Sequence, residues 1–120
     1  MFVYYPNSDE EKLFIEFVDY ILFLKAQPFN STDPSIAIYF ERVIDGMVYE
    51  LYFPDLLQKH NREIIEHLGA LPAFTDAMSD EKKMGICKTV FSRLYDKAHP
   101  VSINLLHMDT IPEIKIIEGK

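Results

Sequence analysis

The chain has 120 residues, 48% of them apolar, with nine Phe and seven Tyr. That is enough to bury a core as one domain, residues 1–120, with no disulfide or metal to hold it. The net charge of −7 lies wholly in residues 1–70, which hold twelve acids against five bases, while 71–120 hold seven of each. This balance disfavours nucleic acid, where affinity comes from Lys and Arg neutralising phosphates, and favours a basic protein partner. A lone cysteine, Cys87, allows no intrachain disulfide and points to a reducing, cytoplasmic compartment.

The start, Met1-Phe2-Val3-Tyr4-Tyr5-Pro6, has no basic segment of the kind that opens a secretory signal. Phe2 to Tyr5 reads as a short strand ended by Pro6. Ser8 stands three residues before Glu11, the spacing of a capping box, and predicts a helix from about Asp9 to Ala26. Its polar wedge is Lys12, Glu16 and Asp19; Phe23 falls in the same wedge and must touch another element or await a partner. The apolar run Leu13 to Leu24 is interrupted by Glu16 and Asp19 and is too short and too charged to cross a membrane.

After a loop over Gln27 to Pro34, two β-prone runs, Ser35 to Ile44 and Met47 to Phe53, flank Asp45-Gly46. Asp-Gly favours a two-residue hairpin turn, and that turn sets the register. Glu41 then pairs with Glu50 and Tyr39 with Tyr52 on the outward face, while Ile36, Ile38, Phe40, Leu51 and Phe53 face the core. Pro54 opens a second helix to about Leu68, with Gly69 as its stop. Ser79 caps a third, Asp80 to about Ala98, ended by His99-Pro100. Val101 to His107 and Glu113 to Glu118 read as two final strands. The order β-α-β-β-α-α-β-β predicts an α+β fold: a mostly antiparallel sheet with helices packed on one face.

Candidate chemistry is thin. Two carboxylates directly opposite on a hairpin repel, and a partner bringing Lys or Arg relieves the repulsion. Glu41, Glu50, Tyr39 and Tyr52 therefore form the candidate docking patch, with Asp9, Glu10, Glu16 and Asp19 as secondary acids. His60, Glu63 and His67 share one stripe of the predicted second helix, but their spacing matches no established metal motif. Cys87 sits amid apolar helical positions, the setting of an inert thiol. The four glycines stand at 46, 69, 85 and 119, which allows no phosphate-cradling loop. No catalytic residue, cofactor or metal is expected.

In size, acidity, scarcity of cysteine, the start Ser8-Asp9-Glu10-Glu11 and the Tyr/Glu hairpin face, the chain resembles the small acidic immunity proteins with which bacteria neutralise their own toxins, including those of contact-dependent growth inhibition. The resemblance implies a cytoplasmic inhibitor that caps a basic, nuclease-type toxin. A homo-oligomeric module associating through Phe2, Tyr4, Phe23, Tyr39 and Tyr52 is the alternative, and a metal-dependent hydrolase at His60, Glu63 and His67 is a more distant one.

Overall fold

The computed structural model describes residues 8–28, 33–108 and 110–117. Among them every regular element is helical: α1 (Ser8–Lys25), α2 (Pro34–Tyr52), α3 (Pro54–His60), a 3-10 turn (Ile65–His67), α4 (Asp80–Tyr95), α5 (Pro100–Met108) and α6 (Pro112–Ile117). The expected antiparallel sheet is absent from the described residues, so the α+β assignment is wrong. The strand expected at Phe2 to Tyr5 lies outside them.

The largest correction is α2, which runs as one helix through the segment expected to form a hairpin. Two local features favour it. The Asp33 carboxylate accepts the Ser35 N–H at 2.9 Å, and Pro34 occupies the first turn, where its missing N–H costs nothing. The buried set is Ile36, Ala37, Phe40, Val43, Gly46, Met47 and Leu51, spaced as one helical stripe. Alternating apolar residues suggest a strand, but the same residues also satisfy the helical period. Burial against several helices decides between the two.

Gly46 is mid-helix, where glycine costs about 1 kcal/mol relative to alanine. Its value is proximity. A Cβ there would stand 2.6 Å from Leu105 Cδ2 and 2.9 Å from Ile64 Cδ1, so the glycine lets α5 and the 61–65 segment press directly onto α2. Helix α2 contacts α1, α3, α4 and α5 and forms the axis of the fold. Around it Phe17, Tyr20 and Phe40 meet with ring centroids 5.6–6.0 Å apart, and Tyr20 also packs on Phe74.

The expected second helix stops eight residues early. Asn61 takes the left-handed conformation (φ 55°), and the Arg62 N–H closes back onto the Leu57 carbonyl at 2.9 Å. Leu68 lies beyond this break. The third helix begins as predicted, with the Ser79 hydroxyl accepting the Lys82 N–H, and ends at Tyr95 rather than Ala98.

The two expected final strands are helices. His99 Nδ1 accepts the Val101 N–H at 3.1 Å and caps α5, with Pro100 in its first turn. Val101, Asn104, Leu105 and Met108 are its buried positions, again at helical spacing. Pro112 opens α6, and Ile111 and Ile114 fill the core.

Two polar clamps hold the irregular stretch between α3 and α4. Arg93 donates to the carbonyls of Leu68 (2.6 Å) and Ala70 (3.0 Å), straddling Gly69, whose φ of +69° suits only glycine without strain. Buried Asn104 donates to the Glu63 carbonyl at 2.7 Å and accepts from Arg62.

Candidate functional site

The structure separates the four residues of the expected docking patch. Glu41 and Glu50 lie nine residues apart on one helix. They therefore point to opposite sides of it, with a rise of about 14 Å between them. Glu41 faces outward and pairs with Lys25 of α1 at 2.5 Å. Glu50 faces inward: its Oε1 accepts the N–H groups of Ile64 and of Ile65, the latter at 3.0 Å. Burial raises the Glu50 carboxyl above its ordinary value, the two N–H donors oppose that rise, and Glu63 and Glu66 add to it. It is a capping carboxylate for the backbone leading into the 3-10 turn, not a docking group.

Tyr39 is likewise internal in part. Its hydroxyl donates to the Leu94 carbonyl at 2.8 Å, and its ring meets Phe91 and Tyr95 edge-on. Tyr52 is exposed. The carboxylate pair on a hairpin face thus does not exist.

The secondary acids also divide. Asp19 and Glu11 are exposed on α1, and Glu10 lies beside Glu50 and Glu63 at a small cavity of about 110 Å³. Asp9 belongs to α1, but its side chain lies outside the described residues. Glu16, expected in the polar wedge, is buried at 4% exposure, and its Oε2 has no hydrogen-bond partner. Burial pushes its carboxyl up, against a smaller downward pull from Lys12. Phe23 touches another element, meeting Phe74 edge-on at 5.5 Å beneath Lys83.

The break at Asn61 scatters the histidine stripe. His60 ends α3, Glu63 follows the break, and His67 sits in the 3-10 turn beside Glu66. Among the described residues no cluster of three or more His, Cys, Asp or Glu is arranged to hold a metal ion. Cys87 is fully buried, and burial raises its thiol to about 12. No helix among the described residues is long and apolar enough to cross a membrane.

The structure exposes two apolar wedges that the hairpin reading concealed. On α1, Ile15, Val18 and Leu22 are exposed within a wedge of about 100° that also holds Glu11 and Asp19. On α2, Ile38, Val48 and Tyr52 are exposed within about 80°, interleaved with Glu41 and Asp45. Leu22 and Ile38 are 62% and 64% exposed, far beyond ordinary half-buried positions. Helices α1 and α2 pack against each other through Phe17, Tyr20 and Phe40, and the Lys25–Glu41 pair links them at the surface. Together the two wedges expose six large apolar side chains interleaved with four acids, with Lys25 already engaged to one of them.

Comparison with protein-family models, with curated proteins and with solved structures returns no match. The functional reading therefore rests on the residues of this chain alone. A helical wheel of residues 34–52 shows the α2 wedge directly, once that segment is read at the helical period.

Proposed function

We propose that this chain is an acidic protein-binding module whose docking face is the outer surface of α1 and α2. Contiguous exposed apolar side chains mark interaction surfaces. The acids around them select the partner's sign, since they attract Lys and Arg and repel other acids. The occupant we favour is a basic amphipathic helix, its apolar stripe laid on these exposed side chains and its basic flanks meeting the acids among them. The single observation that carries this reading is the exposure of Ile15, Val18 and Leu22 on α1 and of Ile38, Val48 and Tyr52 on α2 among four acids. A second copy of the chain is disfavoured, because a two-fold interface would bring the same acids face to face.

The specific role we propose is that of an immunity protein: a cytoplasmic, non-enzymatic inhibitor that covers the basic cleft of a nuclease-type toxin. Small size, the acidic first half and the apolar, acid-rimmed face support it. The hairpin, which contributed to that resemblance, no longer does.

Calorimetric titration with a synthetic Lys/Leu amphipathic helical peptide tests the face, with a Glu/Leu peptide of the same apolar stripe as control. The expected result is saturable binding of the basic peptide, weakened by salt and lost in L22E and I38E variants that keep the wild-type melting temperature. Equal binding of both peptides, or of wild type and variants, rejects the face. Self-association in sedimentation, abolished by the same variants, assigns it to a second copy instead. Inhibition of a basic nuclease, tested with the same variants, addresses the specific role.

A further inference from the structure

A second recess lies on the flank of α2 that holds Tyr39 and Arg42, next to the exposed wedge, and has the opposite charge. It is a groove of about 380 Å³ between α2, the C-terminal end of α4 and α5. Pockets for small molecules begin at roughly 300 Å³. Arg42 and Lys97 line it, and none of the described residues lining it is acidic. In a chain of net charge −7 that local sign is a departure from the whole.

The walls are held in place. Arg42 Nη2 donates to the Leu105 carbonyl at 2.9 Å, which fixes the guanidinium against the groove. Tyr95 is 56% exposed, yet its ring stacks on Phe91 with centroids 4.9 Å apart and meets Tyr39 edge-on at 5.0 Å. Burial raises the Tyr39 phenol to about 12, against a smaller downward pull from Ser102 beside it, so it brings no negative charge at neutral pH. Leu106, 72% exposed, supplies an apolar lip.

We infer that this groove binds a small organic anion: a carboxylate, sulfonate or phosphate carried on a flat apolar body. The body lies against the fixed Tyr95 ring and Leu106, and the anionic group sits between Arg42 and Lys97. The inference is independent of the protein-binding face, which is built from other residues of α2.

Fluorescence titration with anilinonaphthalene sulfonate tests it, with the uncharged N-phenylnaphthylamine as the matched control. The expected result is saturable one-to-one binding of the sulfonate, at least roughly tenfold tighter than the neutral ring. Affinity falls about tenfold in K97E and in Y95A, both changed at exposed positions, and stays at the wild-type value in L22E. Absence of saturable binding, equal affinity for the neutral ring, or wild-type affinity in both K97E and Y95A overturns the assignment. So does a loss in L22E equal to that in K97E, which would place the probe on the α1/α2 face.

Discussion

Replacing Glu50 and Glu41 separately by alanine asks which of two similar carboxylates holds the fold together. Glu50 satisfies two backbone N–H groups, one of them on fully buried Ile64. Removing it leaves both donors without that acceptor, at about 1–3 kcal/mol for a buried donor and less for the half-buried one. The cost of burying the carboxylate, visible in its raised pKa, is recovered in the variant and offsets part of the loss. A net loss of about 2–3 kcal/mol is expected for E50A. Glu41 forms a pair whose side chains are 61% and 45% exposed, and such pairs contribute about 0–1 kcal/mol. For a chain of this length each kcal/mol moves the melting temperature by roughly 3–6 °C. Thermal unfolding by circular dichroism should therefore show E50A lower by about 8–15 °C and E41A by less than about 5 °C. Equal, small shifts for both would refute the capping role and restore two equivalent surface acids.

Three further outcomes follow from the same geometry. G46A should destabilise by about 1–2 kcal/mol in urea unfolding despite alanine's higher helix propensity, because the new methyl meets Leu105 and Ile64 well inside contact distance. Glu16 has a raised folded carboxyl, so its contribution to stability is full below the ordinary glutamate pKa and is lost as pH rises through the folded value. Urea unfolding of wild type and E16Q should then show wild type losing stability relative to E16Q as pH rises above the ordinary glutamate value, and a constant gap would contradict it. Cys87 should resist a thiol reagent in the native state and react only at the rate of unfolding, whereas prompt labelling would mean the apolar stripe of α4 is open.

How far the residues announced the fold can be judged element by element. The start of α4 at Ser79 followed from capping chemistry and the burial of Cys87 from the helical period, while α1 came within a residue of its expected bounds at each end. The failures share one cause. In residues 34–52 and 101–108 the apolar positions satisfy both a twofold and a 3.6-fold period, and Asp45-Gly46 is a strong turn signal when only neighbours along the chain are considered. The glycine is explained instead by Leu105, 59 residues away, which no local rule sees. Local signals did point the right way: Asp33-Pro34-Ser35 is a helix start, and Pro100 and Pro112 each occupy a first turn. Asn61 marked the end of α3, a role in which it can stand for glycine. The candidate site suffered in proportion. Once α2 is a helix, Glu50 turns inward and Tyr39 is half covered, while Ile38, Val48 and Tyr52 emerge beside the exposed residues of α1. Glu16 was misplaced for a different reason: it stands at the edge of the α1 wedge, where it lines one recess with residues 69–71, a neighbour that the helical period does not reveal.

The acidic face, the capping carboxylate and the basic groove all depend on α2 continuing unbroken past Asp45. Sequential amide–amide NOEs measured by NMR from Ser35 to Tyr52 decide this. An uninterrupted series through Asp45-Gly46-Met47 is the expected result. A gap there, together with cross-strand contacts joining residue 41 to residue 50, would return the segment to a hairpin and remove all three features at once.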